Sequence, residues 1–218
     1  MKEGDFAKID YIGKIVENGE IFDLTDEKMA KEKGIFNPNI KYGPVSIIIG
    51  ANFVLRGLEH ALLDMKVGEK KKVTLKPEDA FGERNQKLLK MMPTSDFKDK
   101  NINPYPGMPI NLGEVRGRIA AVSGGRVKVD FNHPLAGKTL EYDVEVKELI
   151  TEKKDKVKGI IDFFIILDEK DLSIQVSEEV LEIKFENKEI PKSVKKMIAD
   201  ITKKWIEGIK KVKFVEEF

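Results

Sequence analysis

Few side chains in this sequence could carry covalent or metal chemistry. Cysteine is absent, which removes disulfides, thiolate nucleophiles and thiolate metal ligands together. The two histidines, His60 and His133, cannot build a histidine-rich metal site, and no HExxH or EF-hand spacing occurs. Asp130 neighbours His133, but neither a cysteine nor a placed serine completes a triad, so a loop histidine bonded to backbone is the expected role. GxSxG, Walker and GxGxxG patterns are missing too. One acid stands out. Asp23 follows Phe22 in an apolar neighbourhood, where a carboxylate is costly to desolvate and is hard to explain as ordinary structure.

The elements that must position such residues centre on residues 45–75. The run Ile47-Ile48-Ile49 stops at Gly50, and Val73 and Leu75 alternate with Lys72, Thr74 and Lys76, the period of a half-buried strand. Between them Leu58, Ala61, Leu62 and Met65 have the spacing of one helical face, with Glu59 and Asp64 expected to stay wet. Gly57 begins that helix and Gly68 stands past its end. A single short helix between strands predicts a sheet wrapped around it.

Residues 6–16 read as a first strand, Asn18-Gly19 as a tight turn and 20–23 as the return of a hairpin. Thr25 is the expected N-cap of a short helix ending near Lys33, with acids in its first turn and lysines in its last. Residues 77–82 form a turn carrying Phe81. From Glu83 to Val129 four prolines gather with Met91, Met92, Phe97 and Tyr105, and strands at 117–122 and 126–131 flank Ser123-Gly124-Gly125, which makes a small β-rich unit. Leu140, Tyr142, Val144 and Val146 alternate without error. Residues 151–158 read as a charged linker. Strands are then expected at 160–167, 172–176 and 181–185. A helix after Pro191 carries Val194, Met197, Ile198, Ile201 and Trp205 in one stripe, and a last strand is expected at 211–218.

Composition narrows the class. Hydrophobic residues make up 41%, enough for a packed core, and 39 basic against 38 acidic residues give a net charge of +1. That balance provides no nucleic-acid footprint. The start is polar rather than signal-like, and no apolar run approaches the ~20 residues needed to span a membrane. A soluble, cytoplasmic protein is expected. Heavy Lys and Glu use leans towards a thermophile.

Several segments together point to a family. They are Tyr11-Ile12-Gly13; Asn18-Gly19-Glu20-Ile21-Phe22-Asp23; Ile49-Gly50 with Val54-Leu55-Arg56-Gly57-Leu58-Glu59; Met65-Lys66-Val67-Gly68-Glu69; Glu78-Asp79-Ala80-Phe81-Gly82; and Leu140-Glu141-Tyr142-Asp143-Val144. In this order and spacing residues 1–150 resemble the FKBP-type peptidyl-prolyl cis-trans isomerases. The block 82–131, inserted before Asn132-His133-Pro134-Leu135-Ala136-Gly137, resembles the SlyD-type branch, where an insert-in-flap domain interrupts the FKBP sheet and serves as a chaperone module. Residues 152–218 lie outside the match. With the 25–34 insertion they resemble the long archaeal members. The histidine-rich tail of bacterial SlyD proteins has no counterpart, so no nickel role is carried over.

The resemblance implies an α+β fold: an antiparallel FKBP half-barrel sheet wrapping a short helix, a β-rich insert-in-flap domain and a C-terminal α/β domain. The expected boundaries are 1–84 with 132–151 for the isomerase domain, 85–131 for the insert and 152–218 for the C-terminal domain. It also implies a prolyl pocket. Tyr11, Asp23, Phe81 and Tyr142 take catalytic positions, and Phe22, Val54, Leu55, Leu58 and Leu135 bind substrate. Asp23 would orient Tyr11 and place a negative field near the rotating amide. Leu58 stands where the family often has tryptophan and Phe81 where it has tyrosine, so macrolide affinity is not carried over.

In the insert, Met91, Met92, Phe97, Ile102, Tyr105, Met108 and Ile110 supply soft apolar area for a chaperone surface, unless the small unit needs them for its own core. The expected function is prolyl isomerisation with holdase activity, acting on unfolded or proline-containing polypeptides without cofactor or metal, nucleic acid or membrane. The alternative is a polypeptide-binding chaperone or assembly factor with a vestigial pocket. The C-terminal stripe is expected to pair two copies, with a client platform or a stabilising lid as its other readings.

Overall fold

A computed structural model describes residues 1–98, 101–113, 115–186 and 189–215. In chain order the elements are β1 (Phe6–Ile15), β2 (Ile21–Leu24), α1 (Glu27–Glu32), β3 (Val45–Ile48), α2 (Arg56–Leu63), β4 (Lys70–Leu75), β5 (Leu89–Pro93), α3 (Ser95–Lys98), β6 (Pro109–Leu112), β7 (Val115–Ser123), β8 (Arg126–Asp130), β9 (Leu140–Ile150), α4 (Lys153–Phe164), β10 (Leu172–Ser177), β11 (Val180–Phe185), α5 (Lys192–Trp205) and β12 (Lys211–Val215). The fold is mixed α+β, and its contacts divide it into two units, Met1–Leu75 with Leu140–Phe218 and Lys76–Thr139. No helix among the described residues is long and apolar enough to cross a membrane.

In the first unit the order β2-β1-β9-β4, with β3 also on β1, makes an antiparallel sheet. Strand alternation gives it two different faces. Leu140, Tyr142, Val144 and Val146 are buried, while Glu141, Asp143 and Glu145 meet Lys72, Lys14 and Lys70 on the opposite side. Helix α2 buries Leu58 and Leu62 as its spacing requires, and Met65 follows at its end.

Glu59 departs from expectation. It is buried rather than wet, and its Oε1 accepts the backbone N–H groups of Gly50 and Asn52 at 2.8 and 3.3 Å. The β3–α2 connection turns tightly there, with Asn52 at φ 58°, and leaves two donors that a single carboxylate satisfies. Thr25 also has another role. Asp26 caps α1, accepting the Met29 N–H. The buried Thr25 hydroxyl donates to Asp10 at 2.9 Å and accepts the Tyr11 N–H at 3.0 Å. Thr25 thus stitches β2 to β1 beside Tyr11.

The largest correction lies after β9. Residues 151–158 are not a linker, nor is 160–167 a strand: α4 runs through both. Val157, Ile160, Ile161 and Phe164 stand at helical spacing, and the lysines and acids of the supposed linker form the wet face of the first turns. Val157, Ile160 and Ile161 share one core with Phe6, Ile48 and Ile150 of the first unit's β2-β1-β9-β4 sheet and with Ile174, Leu181, Ile183 and Ile198. Gly159 makes the approach possible, because a Cβ there would lie 2.7 Å from the Ser46 Cβ on β3. The remaining elements fall close to expectation: β10 and β11 are antiparallel, β12 runs parallel to β11, and α5 follows Pro191. Of the last expected strand, residues 216–218 lie outside the described residues. Ile198 of the α5 stripe is buried, with Val194, Ile201 and Trp205 packed around the same core, while Met197 is exposed.

The second unit is a sheet in the order β5-β8-β7-β6. Strands β5 and β6 are additions to the sequence reading, because Pro93 and Pro109 at their ends masked short edge strands. Phe97, Ile110, Ile119, Val127 and Val129 form its core, with Met92, Ile102 and Met108 packed against it. At its base Asn85 donates its N–H to the Asn132 side chain at 2.8 Å, which returns a bond to the Asn85 carbonyl at 3.1 Å.

Candidate active site

The site is built on one row across the first unit's sheet. Val73, Tyr142, Gly13 and Asp23 are register partners from β4 through β9 and β1 to β2. Tyr11 lies two residues before Gly13 on the same strand face. Phe22 and Asp23 are consecutive and would normally point to opposite faces. The β1–β2 register shifts after Gly13, with Asp23 opposite Gly13 and Ile21 opposite Lys14. Phe22 is the extra residue of that bulge, and a bulge re-aims side chains in this way.

Both side chains consequently reach the same ring cluster. The Tyr11 hydroxyl donates to Asp23 Oδ2 at 2.9 Å. Phe22 meets Tyr142 edge-on at 5.7 Å between centroids, and Tyr11 meets Tyr142 at 5.7 Å. Gly13 makes room for the corner, since a Cβ there would lie 2.8 Å from Phe22 Cζ and 3.1 Å from Tyr142 Cε1. The sequence reading did not single out Gly13 as a site residue. Its signal was the Tyr-Ile-Gly order, but the need for a bare Cα is visible only once the two rings are placed.

Electrostatics follow from the rings. Burial pushes the Tyr11 hydroxyl well above the usual phenol range, with the Asp23 carboxylate adding to the shift. Tyr142 is raised by burial first and Asp23 second. Both phenols stay neutral and keep a proton to donate. Asp23 keeps an exposed edge, yet the surrounding rings desolvate it enough to raise its pKa above the ordinary 3.8. Hydrogen bonds from Tyr11 and the Leu24 N–H oppose that rise. Val54 and Leu55 are half-buried just ahead of α2, and Leu58 is buried within it.

Phe81 and Leu135 belong to the second unit, where His133 joins them. Its ring stacks on Phe81 at 4.1 Å and 5°, and its Nδ1 accepts the Leu135 N–H at 3.2 Å. His133 is therefore the backbone-bonded loop histidine expected from sequence. Asp130 pairs instead with Arg84 and with Asn132. Of the residues expected on the chaperone surface, Phe97 and Ile110 are core and Met92, Ile102 and Met108 pack on it, because so small a sheet has little else to fill its interior. Met91 and Tyr105 remain exposed, at 59% and 60%.

A cleft of about 990 Å³ in the first unit touches the ring cluster only at Tyr11. Lys31, Lys72, Asp143 and Glu145 are among its walls, and such charged walls do not suit a proline ring. The dry aromatic corner is the better candidate for chemistry.

Comparison with known proteins decides the family. The chain is 36% identical over 149 residues to the short-type peptidyl-prolyl cis-trans isomerase of Methanocaldococcus jannaschii, covering 68% of this chain and 94% of that protein. A probable FKBP-type 16 kDa peptidyl-prolyl cis-trans isomerase of Pseudomonas fluorescens is 33% identical, over 60% of this chain and 80% of its own. The chain belongs to the FKBP-type peptidyl-prolyl cis-trans isomerases. The FKBP-type isomerase SlyD of Helicobacter pylori is 33% identical over 55% of this chain and 68% of its own. A family model described as the FKBP26 IF domain matches residues 90–135, within the second unit. This FKBP-type chain thus carries the aromatic corner and a segment similar to that IF domain.

Proposed function

We propose that the chain accelerates cis–trans isomerisation of X-Pro bonds in folding polypeptides at Tyr11, Phe22, Asp23 and Tyr142, with Val54, Leu55 and Leu58 lining the same pocket. The Tyr11–Asp23 hydrogen bond beneath the Phe22–Tyr142 corner carries this reading. Rotation of an amide is opposed by resonance, with a barrier of ~18–20 kcal/mol, and requires no covalent intermediate. The twisted amide is less polar than the planar one, so a dry aromatic wall favours it. Phe22 and Tyr142 grip the pyrrolidine ring, while Asp23, held by Tyr11, sets a negative field near the turning bond. Interactions stronger in the twisted state than in the planar one lower the barrier. A gain of about 10⁴-fold requires about 5.5 kcal/mol.

The inserted segment, residues 85–131, acts in this proposal as an insert-in-flap holdase that captures unfolded chains through Met91 and Tyr105 and raises the local concentration of X-Pro bonds at the pocket. A protease-free assay on a proline tetrapeptide tests the enzyme. Wild type accelerates the reaction, and Asp23→Ala and Tyr142→Ala lower kcat/KM at least tenfold. No acceleration by wild type leaves the polypeptide-binding chaperone as the surviving reading. Joining Asn85 to Asn132, which already hydrogen-bond to each other, removes 86–131. Tetrapeptide turnover then persists while refolding of a proline-limited protein slows. Equal loss in both assays sinks the division of labour.

A further inference from the structure

The two units carry charge on their sheets in different ways. On the outer face of the first, each acid of β9 has a lysine beside it: Glu141 with Lys72, Asp143 with Lys14 and Glu145 with Lys70, at 2.7, 2.8 and 3.3 Å. The second unit's sheet has no such balance. Residues 85–131 hold eight basic and four acidic side chains, although the whole chain carries only +1. Asp130 is the one acid within β5–β8, and it is buried and committed to Arg84 and Asn132.

Strand register shows where the excess lies. Ile119, Val127 and Val129 belong to the core, so their strand neighbours Arg118, Arg126 and Lys128 face the opposite way. Arg116 shares the face of Arg118, because Gly117 between them is the register partner of the buried Ile110. Arg116, Arg118 and Arg126 are exposed and Lys128 is half-buried. None of the four has an ion-pair partner among the described residues. Met91 of β5 is the register partner of Lys128 and leaves 59% of its surface open on the same face. Cations gathered without counter-charge repel one another, and an anionic partner relieves that repulsion.

We propose that Arg116, Arg118, Arg126 and Lys128 make this face a docking surface for acidic, extended segments of unfolded polypeptide, with Met91 receiving an apolar neighbour. This rests on the holdase reading above and names the class of client. Charge complementarity and spacing decide the occupant. Arg116 and Arg118, like Arg126 and Lys128, stand two strand residues apart, about 6.6 Å. Alternate side chains of an extended client have the same spacing, so a Glu-X-Glu segment meets such a pair in register. Each guanidinium can hold a carboxylate through two N–H groups. Single-stranded nucleic acid is the other flexible polyanion, but its binding sites stack bases on aromatic rings. No aromatic residue occurs within β5–β8, so the acidic polypeptide fits better.

The experiment uses full-length protein and labelled probes read by fluorescence anisotropy. The probes are short proline-free peptides in which Glu, Gln or Lys alternates with serine and leucine, and a uridine oligonucleotide. The Glu peptide binds about tenfold more tightly than the Gln peptide at low salt, the scale of several exposed ion pairs acting together. It loses that advantage at about 1 M salt, where the Debye length is about 3 Å. The double variants Arg116→Gln with Arg118→Gln, and Arg126→Gln with Lys128→Gln, each reduce the preference to about threefold or less, while Gln-peptide binding and proline tetrapeptide turnover are unchanged. Reversal by Arg116→Glu with Arg118→Glu turns the preference towards the Lys peptide, a result that mere loss of structure would not produce. Circular dichroism melts confirm that the variants are folded. Equal binding of Glu and Gln peptides by wild type overturns the proposal, as does a preference that survives the substitutions. Tighter binding of the oligonucleotide than of the Glu peptide also overturns it and assigns the face to nucleic acid. Failure to hold any peptide sinks the holdase reading and this surface with it; peptide binding without charge preference sinks only the surface.

Discussion

At the scale of single residues, the proposed site depends on an acid held in a partly dry place. Because burial raises the Asp23 pKa above its ordinary value, the folded protein binds that proton more tightly than the unfolded chain does. Ionising Asp23 therefore costs stability as pH rises through the carboxylate range, a cost absent when the group is protonated in both states. Asp23→Asn should raise Tm relative to wild type at pH 7 and lose that advantage at pH 3, while kcat/KM falls. Thermal melts at the two pH values check the sign, and a lower Tm at pH 7 would refute the account. Gly13 makes the opposite demand, for space rather than charge. Gly13→Ala forces a methyl to within 2.8 Å of the Phe22 ring edge, and overpacking of this kind costs about 1–3 kcal/mol. It should lower kcat/KM about tenfold, with Phe22 and Tyr142 ring resonances shifted by NMR; unchanged ring shifts and rate would show that the corner tolerates a Cβ.

At the scale of elements, α2 does more than fill the sheet. Its Leu58 and Leu62 are buried against it, and its Glu59 holds the segment that leads through Phe53, Val54 and Leu55. Glu59→Ala leaves two backbone donors without their acceptor and should destabilise by about 1–3 kcal/mol. Glu59→Gln keeps a carbonyl acceptor and should lose less. Urea denaturation of both variants measures the difference, and equal losses would mean that the hydrogen bonds do not matter. The same residue shows how far sequence reaches at this scale. Helical spacing identified the buried leucines, but Glu59 lies next to Leu58 at the margin of that stripe. Only the returning 50–52 turn gave its carboxylate a reason to be buried.

At the scale of the whole molecule, residues 152–218 belong energetically with the isomerase sheet. Phe6, Ile48 and Ile150 are buried by Val157, Ile160 and Ile161, so truncation after 151 would strip an apolar face of the sheet. Such a truncation should lower Tm by more than 10 °C or aggregate, on the scale of about 4–8 °C lost per kcal/mol in small domains. Removal of 86–131 should leave the main melting transition within a few degrees. Calorimetry on both proteins compares them directly. A truncated chain that melts like the full chain would show that the shared core contributes little.

The sequence by itself determined the chain's family and most of its strands. The family segments are local strings, and the alternation of Leu140 through Val146 has the period of the structure it forms. It also identified Tyr11, Phe22, Asp23 and Tyr142, which the structure brings together. Tertiary structure alone decided what depends on distant approach. The bulge that puts consecutive Phe22 and Asp23 on one face comes from β1–β2 register. Phe97 and Ile110 were assigned to core rather than surface by the closure of a small sheet. The α4 helix was hidden because its charged first turns resemble a linker and its apolar run resembles a strand. What makes it a helix within the fold is the apolar face of β1, β3 and β9, which α4 covers, and no local window of sequence contains that face.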